Sequence, residues 1–384
     1  MKLIHVFSAP MSAFFFMNGQ LDYMVSKGVE VIVIMPSDNE FNQKFKERHN
    51  DVQLININFK RNISLYNDIS CFFQLLWVFG KYKPNIIHLH TPKASLLGAL
   101  AARILFKKNI IYQMHGLVSS YGNNVNKGLL YWMERLTCFL STQIFAVSNS
   151  LMKFAIENKY CRRKKISVIE NGTINGIDYQ NQFNPLNINQ STNKIKELTH
   201  NKYVIGFVGR LLKDKGIDNY LNIILKCKLN NIPVIGFVVG PDESKGYYNL
   251  LLKKYNLTEG KDIYSFGQQL NPENYIIHFD VLLLPTKREG FGLVAAEANA
   301  LEVPVIGYDI PGLRDAVLND ETGLLVDFEN IEKLFQSILL YFEHPEVKLK
   351  HGRNGRKRVV KDFDSKTIWH SIFLTYCKIY ETKT

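Results

Sequence analysis

Cysteine is sparse in this chain. Five are scattered over 384 residues, at 71, 138, 161, 227 and 377, with no CxxC pair and no spacing that frames a zinc or redox site. An odd number of distant thiols is no disulfide framework; it fits a reducing, cytoplasmic compartment. Long apolar runs are missing too. Ala94–Phe106 is too short to span a bilayer and contains Arg103, and Leu129–Val147 carries Glu134 and Arg135, so neither reads as a transmembrane helix. Met1–Phe7 is a short apolar run followed by Ser8, Ala9 and Pro10, which reads as a buried first strand rather than a secretory signal. No helix-turn-helix, RNA-binding aromatic motif or zinc finger is present, so nucleic acid is not an expected partner. No Asp-x-Asp pair stands in a suitable loop, and neither a metal nor a cofactor is expected.

What is present suits two globular domains. The chain is 46% apolar and 21% charged, with 25 Phe and 19 Tyr for two cores. The net charge of +12 is unevenly placed: residues 1–180 hold 21 Lys/Arg against 11 Asp/Glu. That excess is either a solvated surface or a face that meets anionic lipid or phosphate. Lys107-Lys108 and Arg162-Arg163-Lys164-Lys165 are the candidate clusters. The expected location is cytoplasmic, peripheral on the inner face of the cell membrane.

Strand-like and helix-like stretches alternate. Strands are expected at Leu3–Phe7, Val29–Met35, Asn85–His90, Ile110–Met114 and Gln143–Val147, with helices at Phe14–Lys27, Asp68–Tyr82, Lys93–Phe106 and Gly128–Ser141. The rhythm breaks at Asn171–Lys202, rich in Asn, Gly, Gln and Ser, which suits a linker. It resumes with strands at Tyr203–Val208, Val234–Val239, Val281–Leu284 and Val303–Gly307 and helices at Gly216–Asn230, Gly292–Ala300 and Asn330–Phe342. Repeated βαβ units imply doubly wound parallel sheets, one in each of two Rossmann-like domains. The domains are expected at 1–184 and 185–364, with a terminal amphipathic helix in 365–384 that packs back on the first. Such sheets bind ligands at the carboxyl ends of their strands, so the site is expected in a cleft between two facing domains.

Two segments carry chemistry. In Thr286–Val317, a strand ends at Pro285 and Gly290-Phe291-Gly292-Leu293 opens a helix. Glycines there let backbone approach a ligand, and helix-start amides favour phosphate. Glu289 precedes that helix and Glu297 lies about two turns in, where a carboxylate can accept ribose hydroxyls. In Gly206–Gly216, GFVGRLLKDKG, Arg210 and Lys215 are five apart across a loop and can grip a diphosphate as a fork and a point charge. Singly, each is as well explained by a turn or a solvated charge; together and in order they are not. In the first half, His115-Gly116 follows a strand and is expected to point into the cleft or to cap the next segment. His88 and His90 share a face of one strand; His88 reads as structural, and the pair alone offers too few ligands for a metal. His90 and Lys93 are expected to line an acceptor cleft.

Glu289-x7-Glu297 opened by EGFG, with the GR…KG of Arg210–Gly216, resembles the signature of the retaining family 4 glycosyltransferases, whose fold is GT-B. FKRNISLYND, HLHTPKASLLGALAARI and ENGTINGID resemble the subgroup that assembles capsules, O-antigens and glycans. The resemblance covers nearly the whole chain. It implies that Glu289 contacts the donor sugar, Glu297 the ribose, Arg210 and Lys215 the diphosphate, and His115 the transferred sugar. Gly290, Phe291, Gly292 and Leu293 would complete the donor site. It implies a UDP-sugar donor, carrying a hexose or N-acetylhexosamine, and a lipid-diphosphate-linked or oligosaccharide acceptor. One departure stands out: where many relatives have a Gly-Gly pair, this chain has the loop Ser8–Ala13. A nucleotide-sugar epimerase, or a non-catalytic sugar-nucleotide-binding partner on the same scaffold, are the rival readings.

Overall fold

The computed structural model describes residues 1–60, 62–121, 124–125, 128–188 and 193–381. Arg61 of the FKRNISLYND segment, residues 189–192 of the linker and residues 382–384 of the terminal segment lie outside them. The chain divides into two compact units, one of residues 1–120, 124–176 and 365–384, the other of 121–123 and 177–364. The division falls before the 184/185 boundary read from composition. Its cause is local: the Ile177 amide donates to the Phe363 carbonyl at 2.8 Å, and Ile177 bridges to Asp364.

The first unit is built on seven parallel strands: β1 Lys2–Val6, β2 Glu30–Met35, β3 Gln53–Asn56, β4 Ile86–Leu89, β5 Ile110–Met114, β6 Gln143–Ala146 and β7 Ile166–Val168, in the order β3-β2-β1-β4-β5-β6-β7. Side chains alternate across each strand. Ile4, Val6, Ile32, Ile34, Ile87 and Leu89 form one core with Cys71, Leu75, Val78 and Phe79 of helix α4 (Leu65–Tyr82) and the alanines of helix α5 (Pro92–Ile104). Each fully buried Ile or Leu contributes about 1.5–3 kcal/mol. The opposite face holds His5 and His88, in register on β1 and β4.

The helices of this unit are α1 Pro10–Phe16, α2 Gln20–Ser26, α3 Asn39–Arg48, α4 Leu65–Tyr82, α5 Pro92–Ile104, α6 Leu129–Leu140 and α7 Asn149–Glu157. The single helix expected over Phe14–Lys27 is two. Gly19 breaks it at φ +74°, and the Trp369 ring lies where a Cβ would sit, 2.4 Å away, so both the backbone and the space exclude a side chain there. Consequently Ser8–Ala13 is not one loop: Pro10 starts α1, a position that suits its missing N–H.

The second unit opens with α8 Asn193–Thr199, inside the segment expected to be linker, and carries six parallel strands. These are β8 Tyr203–Val208, β9 Val234–Val239, β10 Ile263–Ser265, β11 Val281–Leu284, β12 Val305–Tyr308 and β13 Gly323–Val326, ordered β10-β9-β8-β11-β12-β13. Between them run α9 Ile217–Leu229, α10 Tyr247–Lys254, α11 Glu273–Ile276, α12 Leu293–Ala300, α13 Leu313–Ala316, α14 Ile331–Glu343 and α15 Pro345–Asp362. Last, α16 Ser365–Glu381 belongs to the first unit. There Trp369 donates to the Asn175 carbonyl at 2.9 Å and Tyr376 meets His88 at 2.6 Å.

Candidate active site

In the second unit the strand order reverses between β8 and β11, and the crevice at such a reversal is where doubly wound sheets take ligands. The loops leaving those two strands hold the sequence-predicted residues. Gly216, at φ +79°, caps α9, and a Cβ on it would lie 1.9 Å from the Pro285 carbonyl oxygen. Only glycine lets the two loops touch there. Their contact brings Lys215 Nζ to 2.6 Å from Glu289 Oε1, with both side chains partly open to solvent. A cation suited to phosphate and a carboxylate suited to sugar hydroxyls thus stand side by side.

A second pair locks the same loops. Arg288 donates through Nε and Nη2 to Asp214 Oδ2, at 3.1 and 2.8 Å, while the Lys287 amide donates to the Asp214 carbonyl at 2.9 Å. Burial alone would raise the Asp214 carboxyl, but Arg288 beside it, with Lys215 and Arg210 further off, holds it below the usual range. All three cations therefore act on one carboxylate, at the junction of the two loops. Arg210 itself reaches Glu243 Oε2 at 3.3 Å. Asp214 and Arg288 were missed from the sequence; the signal was there, since each adjoins a residue already singled out.

Gly292, in the left-handed conformation, caps α12. Phe291 is buried with its ring 5.0 Å from that of Phe363, so its side chain belongs to the core and only its backbone can serve a ligand. Gly290 is buried and Leu293 is half-buried at the helix start. Glu297 lies on the second turn of α12, half-buried. Burial, then the charge of Glu273, pushes its carboxyl up to about 8. Glu273 is buried too, raised by that burial, and accepts from Gln182 Nε2 at 3.2 Å.

The pH dependence follows from proton counting. Between about pH 4.5 and about 8 the folded chain keeps the Glu297 proton that the unfolded chain has lost, so this group makes stability fall as pH rises through that window. Glu297→Gln has no proton to lose. Its melting temperature is expected to gain on the parent's from pH 5 to pH 8, by a few degrees or less, and then hold level. Thermal scans in which the variant loses ground to the parent as pH rises would contradict the assigned shift.

In the first unit the reversal lies between β1 and β4. The Ser8 amide and hydroxyl meet Thr91 Oγ1 at 2.9 and 2.8 Å across it. Thr91, though β-branched, holds φ at +65°, a strained conformation of the kind stored at functional sites. Four imidazoles follow. His115 Nε2 is 3.2 Å from His90 Nδ1, and His90 Nε2 is 2.9 Å from His5 Nδ1. His88 meets Tyr376 and, at 3.1 Å, Gln113 Oε1. Burial lowers His5 to about 3 and depresses the other three, so the row is neutral near pH 7.

His115 is half-buried under Phe16, whose ring stacks on it at 5.0 Å. His90, expected to line an acceptor surface, is only 1% exposed and stacks on Phe7; it acts on anything outside only through His115. Lys93 is already held by the Asn62 carbonyl at 2.6 Å and Asp68 at 2.8 Å, tying α5 to the start of α4. Of the four histidines, His88, His90 and His115 stood out in the sequence and His5 did not; its ring joins His88 and His90 with nitrogens within 4.8 Å of one another, a grouping that could hold a metal. The hydrogen bonds just described already occupy those nitrogens, His5 Nε2 excepted.

Two family models divide the chain. "Glycosyltransferase Family 4" matches residues 20–174 and "Glycosyl transferases group 1" matches 189–358. A capsular polysaccharide biosynthesis glycosyltransferase of Staphylococcus aureus, CapM, is 32% identical over 96% of this chain and 95% of its own length. An Escherichia coli UDP-Gal:alpha-D-GlcNAc-diphosphoundecaprenol alpha-1,3-galactosyltransferase is 27% identical over 79% and 78%. Among solved structures, Anabaena Alr3699/HepE in complex with UDP and glucose matches with a TM-score of 0.81 at 17% identity, over 98% of this chain and 100% of that one. Two Rossmann-like units with their ligand loops at strand reversals, and a relative this similar along nearly the full length, make the chain a member of the family 4 glycosyltransferases, with the GT-B fold.

Proposed function

We propose that the protein is a retaining, metal-independent transferase that moves a hexose or N-acetylhexosamine from a UDP-sugar to a saccharide acceptor carried on a lipid diphosphate, in bacterial surface polysaccharide or glycan assembly. The observation that carries the donor side is the Lys215–Glu289 pair at 2.6 Å, beside Arg210 at the β8/β11 reversal. The diphosphate takes Arg210 and Lys215, and the sugar hydroxyls take Glu289. Glu297 accepts the ribose hydroxyls. As the anomeric C–O bond to phosphate breaks, the two cations stabilise the charge that develops on the leaving oxygen. The acceptor hydroxyl attacks from the same face and its proton passes to that oxygen, so UDP leaves and no separate base is needed. Neutral His115 offers the transferred sugar a hydrogen bond without adding charge.

The names of the relatives support the substrates: one acts on a diphosphoundecaprenol-linked sugar with UDP-Gal, another belongs to capsule biosynthesis, and a structural neighbour holds UDP and glucose. Among the described residues no helix is long and apolar enough to cross a membrane; the basic first unit is proposed to work peripherally at the inner face. The test is incubation with a panel of UDP-sugars, with and without a lipid-diphosphate saccharide, read by mass spectrometry. UDP and an extended acceptor support the proposal; an epimerised donor without acceptor would make the protein an epimerase instead.

Protein cations replace a metal in this scheme, so turnover is expected to survive excess EDTA at more than about half its rate, since no charge on the leaving group depends on a bound ion. Loss of turnover on chelation, restored by magnesium or manganese, would overturn that part.

A further inference from the structure

Three helices of the first unit lie in a row: α5 packs against α4 on one side and α6 on the other. Their inner faces are already committed to the core, through Leu75 and Phe79 of α4 and Tyr131 and Cys138 of α6. Their outer faces are apolar as well. On α4, Ile69, Phe73 and Trp77 recur every four residues; on α6, Trp132, Leu136 and Phe139 recur every three or four. All six are exposed, Phe73 at 63%, Trp77 at 61%, Trp132 at 57% and Phe139 at 73%. A helix that is apolar all round belongs in a core or against lipid. These have their core on one side only.

Charge decides what covers the other. Lys81 Nζ stands 4.6 Å from the Trp77 ring, the Arg135 guanidinium 5.2 Å from Trp132, and Lys165 Nζ 5.6 Å from Phe139. The chain just past α5 adds exposed Phe106 and then Lys107-Lys108. The three helices contain two carboxylates. Asp68 is held by Lys93 at 2.8 Å, and Glu134 is buried, accepting from the Val118 amide at 2.6 Å and from Ser119. Among the described residues of these helices, the outer face thus combines aromatic rings with cations beside them and carries no exposed acid. Trp and Tyr at headgroup depth with Lys and Arg beside them is the composition of an interfacial surface on anionic lipid. A second copy of the same face would bring like charges together.

We infer that the outer faces of α4 and α6 are a membrane-docking surface, with Phe73, Trp77, Trp132 and Phe139 inserted at the headgroup boundary of an anionic bilayer. This deepens the proposal of a lipid-linked acceptor by naming the surface that meets the acceptor's membrane, but the docking is measurable without donor or acceptor. It also revises the basic-cluster reading. Lys165 donates to the Phe139 and Ser141 carbonyls at the end of α6, at 2.7 and 2.9 Å, so within that cluster it fixes the helix end beside Phe139, and the rings join the cations in the anchor.

The chain has three tryptophans, and the third, Trp369, is held inside the first unit by Asn175. In a Trp369→Phe background, emission therefore reports on Trp77 and Trp132 alone. Adding vesicles of phosphatidylglycerol and phosphatidylcholine is expected to shift it to the blue, and brominated acyl chains are expected to quench it. Phe73→Gln with Phe139→Gln keeps both reporters. It is expected to lower vesicle partitioning at least tenfold, while melting and turnover on a short-chain, water-soluble acceptor stay unchanged. Unaltered emission with vesicles, parental partitioning of the double variant, or a parental dimer that the double variant splits would each overturn the inference. Vesicle binding without transfer on any acceptor leaves the docking face standing and sinks the transferase proposal; transfer to the soluble acceptor without vesicle binding does the reverse.

Discussion

Arg210→Ala and Lys215→Ala are each expected to reduce kcat by about 2–4 kcal/mol of transition-state stabilisation, roughly 30- to 1,000-fold. The reason is charge on the departing diphosphate, which has no metal to turn to in the proposed scheme. The two losses differ in kind. Removing Arg210 takes away one contact of the partly exposed Glu243, at 3.3 Å, whereas removing Lys215 takes the 2.6 Å ion pair from Glu289. Because the pair is in contact, adding Glu289→Ala to Lys215→Ala should cost less than the sum of the single effects. Steady-state rates with a saturating UDP-sugar decide it; near-parental rates in both single variants remove the diphosphate assignment.

The two carboxylates should separate by what they touch. Glu289→Gln is expected to lower kcat about a hundredfold with UDP affinity nearly intact, since in the proposed scheme the part of the donor it meets is the sugar that moves. Glu297→Ala is expected to weaken plain UDP about tenfold or more, through lost bonds to ribose hydroxyls. Titration calorimetry with UDP reads both variants, and equal losses of affinity would contradict the division of labour. The raised Glu297 pKa adds a directional signature. A ligand that donates hydroxyls to the carboxylate favours its charged form, so UDP binding to the parent should release protons near pH 7 and tighten as pH approaches about 8.

Legibility in the sequence tracked the kind of force that makes each element. Strands β8, β9 and β11 were placed to the residue, because buried parallel strands are continuous apolar runs. Strand β12 starts at Val305 rather than Val303, since Pro304 has no N–H to give the ladder. Helix α15 was not seen at all. Its residues are strongly polar, and the face it buries consists of His351, Gly352, Gly355 and Val359: it packs by closeness of backbone, not by an apolar stripe. In the candidate site, Arg210, Lys215 and Glu289 could be singled out because each adjoins a glycine, and Glu297 because it lies eight positions past Glu289 on the helix that follows. The Lys215–Glu289 contact could not, because it depends on Gly216 meeting Pro285 across 69 positions of sequence. His5 was hidden for a similar reason. It neighbours His88 only through the pairing of β1 with β4, strands separated by two helix–strand repeats.

The placement of α16 bears on the order in which the polypeptide can mature. Residues 177–364 form one unbroken stretch, whereas the first unit needs residues 365–381 for Tyr376 to reach His88 and for Trp369 to close over Gly19. During synthesis, every residue of the second unit leaves the ribosome before that helix does. The nascent first sheet must therefore wait, with one flank uncovered and its histidine row wet, while its successor is already whole. Fragments that stop near position 176 would be trapped in that unfinished state, and supplying residues 365–381 as a separate peptide is the natural means of completing them.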